Sequence, residues 1–82
     1  MSRELTLFER MARNPRGDWT INDIEMLCCQ NGLSCIPPRG GGSHYKVSGG
    51  DIMLTIPARR RIKPVYIKAL VGLISKIRDE RA

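Results

Sequence analysis

The stretch Leu33-Ser34-Cys35-Ile36-Pro37-Pro38-Arg39-Gly40-Gly41-Gly42-Ser43-His44-Tyr45-Lys46-Val47-Ser48-Gly49-Gly50-Asp51-Ile52-Met53-Leu54-Thr55-Ile56-Pro57 decides the fold. After Gly32 the apolar period falls from about 3.6 residues to about 2, the change from helix to sheet. Leu33 to Ile36 reads as a brief strand. Pro37-Pro38 closes it, and prolines suit an edge strand or its end because they cannot donate to a ladder. Arg39-Gly40-Gly41-Gly42 is then a mobile connector, and His44 to Val47 alternates as a second strand. Ser48-Gly49-Gly50-Asp51 is a hairpin turn into a third strand, Ile52 to Ile56, which Pro57 ends.

Outward from this meander the pattern is helical. Upstream, Thr20 and Asp23 resemble a capping box, and Ile21, Ile24, Leu27 and Cys28 share one face until Asn31-Gly32 supplies a left-handed stop. Further back, Leu5, Phe8, Met11 and Ala12 fall at helical spacing within Glu4 to Arg13, and Asn14-Pro15-Arg16-Gly17-Asp18 ends that pattern. Downstream, Ala58 to Lys63 is a basic loop and Pro64 sits where a first-turn proline is tolerated. Ile67, Leu70, Val71, Ile74 and Ile77 then make an apolar stripe, with Gly72 inside it suggesting close packing. The predicted fold is α+β in the order α-α-β-β-β-α. A three-stranded antiparallel sheet carries helices on one face and leaves the other free.

The 82 residues make one domain, with a helix and turn over 1–18 and the core over 19–82. A chain this short buries about 60 to 65 % of the surface its unfolded form exposes. At 41 % apolar and 27 % charged the composition is that of a folding chain. The start, Met1-Ser2-Arg3-Glu4-Leu5-Thr6, lacks the apolar core of a signal peptide, and no apolar run approaches the ~20 residues that span a bilayer, so a cytoplasmic location is expected. Cys28, Cys29 and Cys35 lack zinc-ligand or redox spacing, so packing is expected of them.

Charge divides the chain in two. Residues 1–41 carry five basic side chains (Arg3, Arg10, Arg13, Arg16, Arg39) against five acidic ones, whereas 42–82 carry nine against three, which places the whole net charge of +6 in the second half. Clustered Lys and Arg displace counterions condensed on a phosphate backbone, so a nucleic acid is the natural partner. Membrane binding would ask for aromatics on an amphipathic helix, and the single Trp and single Phe both lie in the neutral half.

Period-two alternation puts Ser43, Tyr45 and Val47 on the helix-covered face and His44 and Lys46 on the free one. Gly42 and Ser43 just upstream would let a phosphate approach the backbone. An imidazole gains and loses a proton near neutral pH, which RNA cleavage requires: one proton leaves the attacking 2′-hydroxyl and one reaches the departing oxygen. Cations stabilise the charge between them. Asp51 is the only acid between Gly32 and Arg78, too few carboxylates for a two-metal site, and no serine or cysteine pairs with His44 in a triad motif. On the residues alone, a surface histidine and a catalytic one both fit.

The run Gly42-Ser43-His44-Tyr45-Lys46-Val47, followed by Leu54-Thr55-Ile56-Pro57, a short basic loop and Lys63-Pro64, resembles the HicA-type toxins of bacterial type II toxin-antitoxin systems. The Asn14-Pro15 turn, Trp19 and Ile21-Asn22-Asp23-Ile24-Glu25 look like the longer members, so the resemblance covers most of the chain. It implies a fold like the double-stranded-RNA-binding domain and a translation-independent endoribonuclease that cleaves mRNA, and with so few carboxylates beside the site no metal or cofactor is expected. It also implies a catalytic histidine at His44 and a HicB-type antitoxin that masks the site. Members often carry another histidine after the third strand. This chain reads Ala58-Arg59-Arg60-Arg61 there, so the second proton-transfer partner is another group or water and His44 could be acid or base.

Arg59, Arg60, Arg61 and Lys63 form the densest positive run, expected to hold phosphates without reading sequence, with Arg39 and Lys46 next. Lys68, Lys76, Arg78 and Arg81 read as the solvated face of the last helix. Tyr45 is expected to pack rather than stack on a base, and Trp19 to staple the helix start. Two further readings stand beside the nuclease: an RNA-binding module of the same fold without chemistry, and an interaction protein whose basic face binds an acidic partner.

Overall fold

Thr6 opens the first helix. Its hydroxyl accepts from the Glu9 N–H at 3.1 Å while the Glu9 carboxylate accepts from the Thr6 N–H, also at 3.1 Å, a reciprocal capping box. In the computed structural model, which describes residues 5–40, 42–59 and 61–81, α1 accordingly spans Leu7–Arg13. The helix thus starts later than apolar spacing suggests, and the expected inward set needs correction. Leu7 and Met11 are buried and Phe8 packs beside them, while Leu5 and Ala12 are exposed.

The Asn14-to-Trp19 turn is closed by the Trp19 indole N–H, which donates to the Asn14 carbonyl at 2.7 Å. A Cβ on Gly17 would lie 2.9 Å from that indole nitrogen, so only glycine lets the ring lie over the turn. Thr20 caps α2 (Ile21–Gln30), with Asp23 accepting from both the Thr20 N–H and hydroxyl. Ile24, Leu27 and Cys28 are buried, Cys29 is exposed, and Gly32 at φ 71° ends the helix in the left-handed region as expected.

Three strands follow, β1 (Ser34–Ile36), β2 (His44–Gly49) and β3 (Ile52–Pro57), antiparallel in the order β1-β2-β3. Gly50 at φ 59° takes the first central position of the two-residue hairpin turn, where a type II′ turn requires glycine. α3 (Pro64–Arg81) closes the chain. The architecture is α+β in the order α-α-β-β-β-α.

One core joins the layers. Val47 and Ile56 from the sheet meet Leu7, Met11, Ile24 and Leu27 from the first two helices and Ile67, Leu70, Leu73 and Ile74 from α3. Each fully buried aliphatic side chain contributes about 1.5 to 3 kcal/mol. Ile62, next to the end of the basic loop, is 1 % exposed and its N–H donates to the Trp19 carbonyl at 2.9 Å, which anchors the loop to the core there. Two expectations for α3 need correction. Gly72 is exposed and a Cβ there would meet nothing within 4 Å, so no close packing explains it. Arg78 is a tie between helices: its guanidinium donates to Asn31 Oδ1 at 2.9 and 3.2 Å and lies 4.1 Å from the centre of the Phe8 ring. Among the described residues, no helix is long and apolar enough to cross a membrane.

Candidate functional site

The pleat of β2 sorts its side chains as the alternation predicts: Val47 is buried and Tyr45 half-buried on the helix side, while His44 and Lys46 are exposed on the free face. Two residues apart on one strand, they stand about 7 Å from each other. On that face the neighbours across β2 are Ile36 and Thr55 flanking Lys46, Pro57 opposite His44, and Ser34 and Met53 flanking Ser48. None of these carries a carboxylate. Asp51 lies past the far end of the hairpin, and β2 alone separates His44 from that end by about 17 Å. A phosphate brought to His44 and Lys46 therefore meets positive charge without a competing acid on the sheet.

Backbone pairing holds the start of this strand. The Ala58 N–H donates to the Ser43 carbonyl, continuing the β2–β3 ladder one step beyond His44 and Pro57. Gly40 has a positive φ of 63°, and a Cβ on Gly42 would come within 3.3 Å of the Pro38 side chain, so Gly42 lies close to the end of β1. Ile36, Pro37, Pro38, Arg39, His44 and Lys46 together line one open groove on the free face.

Of the cations expected to hold phosphates, Arg39 and Lys46 thus share the groove with His44. Gly42 and Ser43 are exposed at its upstream end. Arg59 is exposed just beyond Pro57, the residue paired with His44, and its N–H donates to the Pro57 carbonyl at 3.0 Å. Arg61 and Lys63 are exposed on either side of the Ile62 anchor and do not line the groove. Arg60 lies outside the described residues. Ile36, Pro37 and Pro38 escaped the sequence reading. Ile36 shares its parity with Ser34 rather than Cys35, and an apolar residue at a solvent-side position was the available signal.

The thiols take no part in this groove. Burial above all, then Cys35, pushes the Cys28 thiol up to about 12, and burial followed by Glu25 raises Cys35. Both stay protonated at neutral pH and are poor nucleophiles. Among the described residues, no three His, Cys, Asp or Glu side chains converge as metal ligands, and no hydrogen bond or ion pair engages the His44 imidazole. The arrangement can hold a phosphate between Lys46 and Arg39 and exchange one proton with it through His44. Comparison with protein-family models, curated proteins and solved structures returns no match.

Proposed function

We propose that this chain is the toxin of a type II toxin-antitoxin pair, a cytoplasmic, metal-independent endoribonuclease that cleaves mRNA without the ribosome and so inhibits translation and growth. The observation that carries the reading is the placement of His44 beside Lys46 and Arg39 on an exposed sheet face without carboxylates. The resemblance of Gly42 to Val47 and its flanking motifs to HicA-type toxins supports it. In this reaction the 2′-oxygen forms a bond to its own phosphorus and the bond to the 5′-oxygen breaks. One proton leaves the 2′-hydroxyl and one reaches the departing oxygen. His44 performs one transfer and water or a neighbouring group the other, while Lys46 and Arg39 stabilise the phosphorane charge. Arg59, Arg60, Arg61 and Lys63 hold flanking phosphates, with Gly42 and Ser43 admitting one close to the backbone. A HicB-type antitoxin covers the His44 face until release.

Separate expression of wild type and His44→Ala tests this, with growth and transcript integrity followed in each and cleavage by the purified chains assayed in chelator. Wild type should arrest growth and cut, and His44→Ala should do neither while retaining RNA binding. Normal cutting by His44→Ala sinks the assignment. One observation favours a second reading, an RNA-binding module without chemistry: among the groove's lining residues His44 is the single imidazole and no carboxyl group stands beside it. That reading requires salt-sensitive RNA binding with no product at any pH.

A further inference from the structure

Half of the groove beside His44 is apolar. Ile36 is 54 % exposed although it lies in a strand paired directly to Lys46, and Pro37 and Pro38 continue it toward Arg39. An exposed aliphatic side chain is removed from water only when an apolar surface covers it. The cations at the edges call for negative charge on the same occupant. A nucleotide carries both parts, an apolar base face and a phosphate beside it. An acidic protein segment satisfies the cations and covers the floor only where an apolar side chain stands beside its carboxylates, whereas every nucleotide carries both parts.

We infer that Ile36, Pro37 and Pro38 form a base-binding subsite for the nucleotide next to the cleaved phosphate, with its base on this floor and its phosphate between Arg39 and Lys46. The inference rests on the endoribonuclease reading for which phosphate is cut, though not for occupancy of the groove. It sets the substrate class. A base within an A-form duplex has both faces covered by its neighbours and presents only its edges, so the subsite accepts an unpaired nucleotide and rejects a paired one. The base is gripped by its face, which every base has, so the subsite selects strandedness more than sequence.

The test uses the full chain with a fluorescently labelled single-stranded RNA oligonucleotide, the same strand annealed to its complement, and a set carrying one abasic ribonucleotide at successive positions. Binding is measured with His44→Ala, which keeps the substrate intact, and with His44→Ala combined with Ile36→Thr or, as the conservative control, Ile36→Val. Ile36 is exposed on the edge strand, so neither substitution threatens the core. The expected results are preference for the single strand, a loss of about tenfold on Ile36→Thr, and a similar loss for an abasic site at one position. The two losses should not add, because they remove the same contact. Ile36→Val should bind as the parent does. Equal binding of duplex and single strand, an unchanged affinity on Ile36→Thr, fully additive losses, or no RNA binding at all would each overturn the subsite, the last leaving the groove to a protein partner. Cleavage by the wild type is scored separately. A chain that binds in this pattern without cutting keeps the subsite and loses the endoribonuclease reading, and one that cuts duplex and single strand alike does the reverse.

Discussion

Glycine to alanine should stabilise the protein at position 72 and destabilise it at position 49. Gly72 lies inside α3, is exposed, and has no atom within 4 Å of where a Cβ would stand. Only the backbone entropy of glycine separates the two residues there, so Gly72→Ala should add about 0.8 to 1 kcal/mol, or roughly 4 to 8 °C in Tm for a domain of this size. Gly49 lies on the helix side of β2, where a Cβ would stand 2.6 Å from Ile77 Cδ1 and 3.0 Å from Leu33 Cγ. The Ile77 methyl can swing aside. The Leu33 branch carbon belongs to a side chain only 9 % exposed and moves only with its neighbours. Overpacking of this kind costs about 1 to 3 kcal/mol. Urea and thermal unfolding followed by circular dichroism at fixed protein concentration measure both. A drop in stability for Gly72→Ala, or none for Gly49→Ala, would refute the packing on which α3 is placed against the sheet.

Ile62→Ala should cost about 2 to 5 kcal/mol, far more than any exposed neighbour in the same loop, and proteolysis should move to residues 58–63. A loss below 1 kcal/mol would mean that the loop is not anchored there. The Cys28 thiol, pushed by burial from 9.0 to about 12, gives up its proton later in the folded chain than in the unfolded one. Its contribution to stability is therefore whole below pH 9 and falls by about 1.4 kcal/mol per pH unit above it. Denaturation from pH 8 to 10.5 should show a steeper alkaline decline in wild type than in Cys28→Ala, and parallel slopes would contradict this. RNA affinity should fall steeply with salt. Replacing both Arg59 and Arg61 by glutamine should flatten the log–log slope by about 1.4, roughly 0.7 per lost phosphate contact on a single strand, and an unchanged slope would remove them from the interface.

Much of this was legible along the chain because it depends on neighbours in sequence. The 3.6-residue period marks α2 and most of α3, and the two-residue period marks the strands and sends His44 and Lys46 outward beside each other. Gly32 and Gly50 stand where a left-handed backbone is needed. The start of α1 was also written locally, in Thr6 and Glu9, but the apolar spacing from Leu5 competed with it, placing Met11 and Phe8 correctly and Leu5 and Ala12 wrongly on the inward face.

Other features depend on partners far along the chain, and no local pattern encodes them. Ile62 reads as one apolar residue in a basic run until the Trp19 carbonyl receives its N–H. Arg78 looks like a solvated helix cation until Phe8 and Asn31 come beneath it. Gly72 resembles a packing contact until α3 is seen to turn it outward. For the site, the sequence alone established an exposed imidazole beside an ammonium in the basic half of the chain. Its surroundings were decided by tertiary structure. The antiparallel register lays Ile36 against Lys46, and Arg39, three residues past the end of β1, lines the same groove. Side-chain alternation is a property of one strand, whereas register and loop packing arise only when separate segments bury a common core.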